Sequence, residues 1–402
     1  MTKPKIRIQG FEEDWHTISL HDECQRVVRK NENLQSTIPL TISAQYGLIP
    51  QTDFFNSKIA GAHIENYYLI KHGEFAYNKS SSQDYPFGAV KRLDKLDDGV
   101  LSTLYIVFSI SDNIQSDFLA SFFDTTKWHS QVRQRASEGA RNHGLLNISA
   151  NDFLDIDIAV PSKEEQTIIG VFQANFDALI SKSQDKLNSL KSLKICYLNR
   201  LFSIGGGKIP PIRLEGFSGE WEVKTLADCF TERVERSSEG ELLSVTINSG
   251  VLKFSELNRH DNSSSDKSNY KVVRKGDIVY NSMRMWQGAS GCSDYDGIVS
   301  PAYTVLIPNE NIDPHFFAFF FKNPELIQKF RIHSQGLTSD TWNLKYPAFS
   351  KISICYPKDL NEQRKIADLF KEITELINLH TIELDKLKQL KQSCLESMFV
   401  NP

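Results

Sequence analysis

The sequence predicts a mixed α/β (α+β) chain made of two pseudo-repeated domains, each followed by a long helix. Three observations carry this. The stretch 165–202 recurs without a gap as 362–399; a Gly-Phe…Trp arm opens each half; and strand-like segments match between the halves in the same order. A repeat of this length fixes the architecture before any other feature is weighed.

The helices are the clearest elements. Glu165/Glu362, Gln166/Gln363, Ile169/Ile366, Ile180/Ile377, Leu187/Leu384, Leu190/Leu387, Leu193/Leu390, Leu198/Leu395 and Phe202/Phe399 are identical pairs. Phe176, Ile180, Ser183, Leu187, Leu190, Lys194, Tyr197 and Leu201 step by four and three, the seam spacing of a coiled coil. Ile373, Ile377, His380, Leu384, Leu387, Lys391, Cys394 and Met398 repeat that register. Ser162-x-x-Glu165 and Asp359-x-x-Glu362 have the form of capping boxes, each just after a proline, Pro161 or Pro357. Gly205-Gly206-Gly207 and Pro210-Pro211 end the first helix. At about 1.5 Å per residue, each helix would span about 55 Å. A core hairpin inside one domain is the alternative, but that length outruns an ordinary domain core.

Ahead of each helix the domains run in parallel. Pro4 to Trp15 returns as Pro210 to Trp221, an extended arm with a Gly-Phe turn, before Leu20 or Leu226. Residues 66–78 match 269–281 as strand, tight turn at Gly73 or Gly276, and strand. Residues 101–108 match 299–306 as a further strand, followed by aromatic-rich helices at 117–123 and 314–321. Asp313 before Pro314 is a good helix start. Glycine-marked polar loops follow at 138–147 and 335–343, then strands at 153–160 and 349–356. The expected boundaries are 1–161 for the first domain, 162–203 for the central helix and 204–210 for a linker. The second domain takes 211–357 and the C-terminal helix 358–402. Between these shared pieces the halves diverge: 51–65 has no counterpart in 258–268, and 79–87 differs from 282–287. One scaffold with unequal loops suggests two different recognitions.

Composition narrows the function. Among 402 residues, 40% hydrophobic and 24% charged side chains describe an ordinary folded protein with apolar material for two cores. No apolar run approaches a membrane span and no signal core follows Met1, so a cytoplasmic location is expected. Cys24, Cys196, Cys229, Cys292, Cys355 and Cys394 lie far apart without metal spacing and read as reduced, mostly buried thiols. A net charge of −4 and a pI near 6.2 do not suit a protein that coats nucleic acid through bulk charge. Gly205-Gly206-Gly207-Lys208 lacks phosphate-loop spacing, and no nucleophile elbow, zinc set or dinucleotide fingerprint appears. Asn323-Pro324-Glu325-Leu326 lacks the second proline and aromatic that would shape an amino-methyltransferase pocket. The chain therefore reads as non-catalytic, with no metal site.

Polar and basic residues gather at the glycine loops. In the first half these are His129, Gln131, Arg133, Gln134, Arg135, Arg141, Asn142 and His143; in the second, Lys329, Arg331, His333, Gln335, Thr338, Ser339, Trp342, Asn343 and Lys345. Lys79 and Ser80, and Asn281, Ser282, Arg284, Trp286 and Gln287, could extend those faces. Arg, Asn and Gln can pair bidentately with purine edges, while Lys, Ser and Thr suit phosphates. The alternative for either cluster alone is a solvated surface loop. For one cluster the solvated loop is favoured; two clusters at equivalent places in a duplicated fold bring DNA contact and a solvated loop nearer to even.

In the order of these pieces the chain resembles the specificity subunit of Type I restriction–modification enzymes, over nearly its whole length. The carrying signals are Gly10-Phe11…Trp15 and Gly216-Phe217…Trp221, Lys275-Gly276-Asp277-Ile278-Val279, the two glycine loops, and above all Glu165-Gln166-x-x-Ile169 and Glu362-Gln363-x-x-Ile366. The resemblance implies two target-recognition domains separated by an antiparallel pair of helices, each domain reading half of a split double-stranded DNA target. It implies two methyltransferase (modification) subunits on the helices and a restriction or motor subunit for cleavage. S-adenosylmethionine, ATP and Mg would sit on those partners, with no cofactor on this chain and no membrane involved. Leu187, Leu190, Leu384 and Leu387 are expected in the helix–helix seam; Leu193, Leu198, Leu390 and Leu395 are expected to face the methyltransferases. A scaffold joining two protein-binding domains, or a nuclease or methyltransferase in its own right, are the readings of other classes.

Overall fold

A computed structural model describes residues 3–43, 46–55, 63–136, 144–203, 205–257, 260, 263–264, 266–339 and 341–401. It divides into two compact units, Met1–Gln184 with Ile382–Pro402, and Asp185–Thr381. Both long helices form, over Lys163–Arg200 and Leu360–Met398, and each is shared between the units.

The first unit is built on a four-stranded antiparallel sheet in the order Cys24–Arg26, Ile106–Ile110, Phe75–Asn78, Ala89–Arg92. Three antiparallel pairs surround it: His16–Ser19 with Asp157–Val160, Leu40–Ser43 with Gly47–Pro50, and Tyr68–Lys71 with Asp98–Leu101. Side chains alternate across a strand, so the sheet feeds two cores. Phe75, Tyr77 and Phe108 face a core with Phe118, Phe122 and Phe153. Ala76 and Val107 face a smaller one with Leu40, Ile70 and Leu101.

The second unit repeats this. Its sheet runs Phe230–Glu232, Tyr303–Pro308, Ile278–Asn281, Ser290–Cys292, with the flanking pairs Glu222–Thr225 and Ser353–Tyr356, Leu243–Thr246 and Gly250–Lys253, and Lys271–Val273 and Gly297–Val299. Ile278, Tyr280 and Leu306 enter the phenylalanine-rich core; Val279 and Val305 enter the smaller one.

Several boundaries differ from the sequence expectation. The strands around Gly73 form as expected, although they serve different sheets: Tyr68–Lys71 joins Asp98–Leu101 while Phe75–Asn78 joins the central sheet. The strands expected over 101–108 and 299–306 are each interrupted, at 102–105 and 300–302, so their two ends serve different sheets. Phe153 and Phe349 lie in short helices, Ala150–Leu154 and Tyr346–Phe349, before the strands begin. Of the cysteines, Cys229 is buried and the other five are half-buried.

The seam positions of the long helices are all buried or half-buried, while most of their neighbours are exposed. Within the first unit, Gln173 meets Met398 at 3.6 Å and Lys391 meets Asp177 at 2.6 Å, so these helix segments run antiparallel. Within the second, Lys194 donates to Thr374 at 2.8 Å and Phe202 stacks on Phe370, again antiparallel.

The Glu-Gln pair at each helix start has a mechanical role. Glu165 accepts a two-pronged hydrogen bond from Arg7 (2.9 and 2.8 Å), and Glu362 accepts the same from Arg213 (2.9 and 2.9 Å). The pairing with Glu165 also raises the Arg7 pKa above its ordinary value. Gln166 accepts from the Gln115 backbone N–H and donates to the Pro161 carbonyl. Gln363 does the same with Asp313 and Pro357. The expected capping box of the first helix is therefore half made: Ser162 Oγ accepts from the Glu165 N–H, but the glutamate reaches the arm. At the second, Asp359 Oδ1 accepts from the Asn361 N–H and Glu362 likewise turns to the arm. Ile6 N–H donates to the Ser397 carbonyl and Ile212 N–H to that of Arg200, which seats each arm against a helix end.

Candidate nucleic-acid interface

The second unit brings its predicted site residues together. Strand Ile278–Asn281 ends in a turn where Asn281 Oδ1 accepts from the Met283 N–H at 3.0 Å. A 3-10 turn, Met285–Gln287, follows, with Met285 buried and Arg284 exposed. Gly288 closes it at φ 81°, the left-handed region that favours glycine. The Ser282 carbonyl accepts from the Leu344 N–H at 2.8 Å, joining this turn to the 335–343 loop. Gln335 and Asn343 close that loop with reciprocal backbone hydrogen bonds of 3.0 and 2.8 Å.

Trp286 and Trp342 meet edge-to-face at 5.2 Å, and the Arg331 guanidinium lies 5.1 Å over Trp342. Arg331 and His333 occupy the last turn of helix Pro324–His333, where His333 Nδ1 donates to the Lys329 carbonyl. Thr338 and Ser339 are exposed on the loop, and Lys345 is exposed just before the next short helix. Lys329 reaches the Ser353 carbonyl.

The first unit builds the same framework with different side chains. Lys79 accepts from the Leu146 N–H through its carbonyl and donates Nζ to the Ile148 carbonyl; Ser80 bridges Leu145. Arg133 lies 5.1 Å over Phe87, and His129 packs on the same ring at 4.9 Å. Burial holds the His129 imidazole below its ordinary pKa; Glu396 opposes that shift and Arg133 adds to it. Two expected contributors are otherwise engaged. Arg135 is tied to the Asp155 and Gln131 carbonyls, and Gln131 clamps Asp157 by both its N–H and its carbonyl. Arg141, Asn142 and His143 lie outside the described residues.

Sequence reasoning missed Lys322 and Leu337. Lys322 Nζ donates to the carbonyls of Ile247 (3.0 Å), Ser290 (2.8 Å) and Gly288, holding the hairpin tip and the end of the 3-10 turn to the aromatic helix. Burial lowers its pKa to about 8, with Lys194 adding to the shift. The one signal was a lone lysine ending the phenylalanine-rich run 316–321.

On the helices, Leu187 and Leu384 are buried, and Leu190 and Leu387 half-buried, as seam residues should be. Leu193 and Leu390 are exposed. Leu395, expected to face a partner, instead lies in the first unit's core, and Leu198 packs on the second unit's core. Both sit near a helix end, where the seam gives way to a domain core. Among the described residues, no group of His, Cys, Asp and Glu could hold a metal ion, and no helix is long and apolar enough to cross a membrane.

The family model for the Type I restriction modification DNA specificity domain matches residues 218–389. A curated relative, the Type I restriction enzyme HindI specificity subunit of Haemophilus influenzae, is 28% identical over 135 residues. That match takes in 33% of this chain and only 29% of the relative's length. In fold, the chain is similar to the S subunit of a Type I restriction–modification system from M. genitalium, with TM-score 0.60 and 16% identity over 100% of both chains. A chain from a study of complex assembly and conformational transition of the type I R-M system gives TM-score 0.52 and 15% identity, over 98% of this chain and 100% of that one. By the specificity-domain match in its second half, the curated relative and the shared fold, the chain resembles the specificity subunits of Type I restriction–modification systems.

Proposed function

We infer that this chain reads a bipartite DNA target, one half-site per unit, and directs adenine methylation and restriction by partner subunits. The supporting observation is a repeated framework with unrepeated side chains. In each unit a turn leaving the central sheet is joined to the glycine loop by backbone hydrogen bonds, beside an arginine laid over an aromatic ring. Those rings are Phe87 in one unit and Trp342 in the other, so two equal scaffolds present unequal surfaces to the duplex. The acidic balance fits a subunit whose partners contribute much of the phosphate contact. Two methyltransferase subunits would pack on the helices, with Leu193 and Leu390 exposed to receive them. S-adenosylmethionine, ATP and Mg belong to those partners and to the restriction subunit.

The test is methylation mapped at base resolution in a host carrying this chain and its methyltransferase. Arg141→Ala should relax one half-site and leave the other intact, and Gln335→Ala the reverse. A base-specific contact carries about 1–3 kcal/mol of discrimination, roughly five- to 150-fold. If either variant altered both halves alike, the one-unit, one-half-site reading would be wrong.

A further inference from the structure

Leu337 is the most exposed large hydrophobic residue among those described, at 101% of its reference area. The described residues of its loop, which leave out Asp340, are tied by hydrogen bonds. Beyond the Gln335–Asn343 closure, the N–H groups of Thr341 and Trp342 both donate to the Thr338 carbonyl, at 2.9 and 3.1 Å. Thr341 Oγ1 accepts from the Thr338 N–H at 3.1 Å. Gly336 adopts φ 142°, and a Cβ there would lie 2.6 Å from the Thr341 carbonyl oxygen, so only glycine lets the loop close this way. The leucine is held outward by a cross-braced turn.

Its surroundings indicate what it meets. The loop's base is the Trp286–Trp342 pair with Arg331 over it, and Arg284, Arg331 and Lys345 are all exposed nearby in the same assembly of turns. An apolar tip on a loop whose supporting turns carry exposed cations is the chemistry of a side chain that enters between base pairs while its neighbours hold phosphates. We propose that Leu337 is a wedge that inserts at one base step of the second half-site and unstacks it. This rests on the DNA-recognition reading and adds a mode of reading to it. Sequence preference at that step then follows from how easily the step opens, which favours pyrimidine–purine steps.

The experiment uses the full chain with its methyltransferase subunits, and duplexes carrying the methylation-mapped target. 2-Aminopurine is placed singly at successive positions of the second half-site, leaving out the methylated adenine and its partner base because the methyltransferase itself extrudes that adenine, and its fluorescence reports unstacking. The wild-type complex should raise fluorescence several-fold at one step, Leu337→Met should retain that rise, and Leu337→Ser should lose it. Leu337→Ser should also lose about tenfold in discrimination at that step. Because Leu337 is fully exposed, unchanged thermal melting of the serine variant should accompany these losses. Specific binding with no fluorescence rise at any position, or an equal rise with Leu337→Ser, would overturn the wedge and leave DNA recognition standing. If instead loss of the thymine methyl groups, by uracil substitution, reproduced the serine defect without any unstacking, Leu337 would be a groove contact and not a wedge. Absence of any specific binding to the mapped duplex would bring down the DNA-recognition reading itself.

Discussion

Replacing Glu362 by alanine tests what the shared Glu-Gln motif does. Its carboxylate is 1% exposed and accepts from Arg213 Nε and Nη2 at 2.9 Å each, and from Trp221 Nε1 at 3.2 Å. Removing one partner of a buried pair leaves the other charge uncompensated and costs about 3–5 kcal/mol. Trp221 also loses its acceptor, which adds about 1 kcal/mol. Glu165→Ala breaks the equivalent bridge to Arg7 but spares that last loss, because Trp15 Nε1 has no hydrogen-bond partner. Glu362→Ala should therefore cost about 1 kcal/mol more than Glu165→Ala. With a urea m-value of about 2–3 kcal/mol/M, the Glu362→Ala midpoint should fall by roughly 1.5–2.5 M. Equilibrium unfolding followed by tryptophan fluorescence and circular dichroism reads both. The double variant Arg213→Met with Glu362→Met should recover much of the loss, since a buried ion pair is often matched by apolar packing. A midpoint shift under about 0.3 M for Glu362→Ala would refute the bracket, as would a double variant no better than the single.

The helices and the half-buried Lys322 each carry a further outcome. Leu187 and Leu384 are each 3% exposed, so alanine at either should cost about 2–5 kcal/mol, and the double variant should weaken the complex with methyltransferase subunits. An equally heat-stable complex from the double variant would contradict the seam. Lys322, with its pKa lowered to about 8, holds fewer protons when folded than unfolded between that pH and its ordinary 10.5. The stability of the wild type relative to Lys322→Met should then rise with pH across this window, by up to about 3 kcal/mol. Urea unfolding of both proteins at pH 8 and pH 10 checks the slope, and a pH-independent difference would remove the burial argument.

The repeat, the helices and their seam were legible because each is written locally, in spacing and in self-similarity. Position by position, the four-three steps from Phe176 to Leu201 and from Ile373 to Met398 mark the residues that turn inward. The role of the glutamates was not legible. Glu165 in sequence sits three residues after a serine, which is the pattern of a local cap, while its actual partner Arg7 lies 158 residues away. Arg135 misled for a related reason: a surface arginine and one that ties down backbone carbonyls look alike until the chain is folded. Leu395 reads as a repeat of Leu198 at a solvent-facing register, yet both helix ends run into domain cores, so the heptad rule fails there. The loop pair of the second unit was found by composition, but its apolar tip was passed over because a single exposed leucine carries no pattern.

The first unit's core has a consequence for how the chain acquires its structure during synthesis. Trp15 and Phe118 pack on Phe399, and Leu395 and Met398 complete the same cluster, whereas the second unit is assembled from the continuous stretch 185–381. Domains ordinarily fold in the order in which they leave the ribosome. Here the order inverts, since the first unit must wait, its phenylalanine-rich face incomplete, until residues 395–399 have emerged. Translation at about 5–20 residues per second makes that wait at least ten seconds or so after its own strands appear. During it the first unit's apolar surface stays exposed while the second unit is still being made, so holding chaperones should engage residues 1–160 for longer than 211–357.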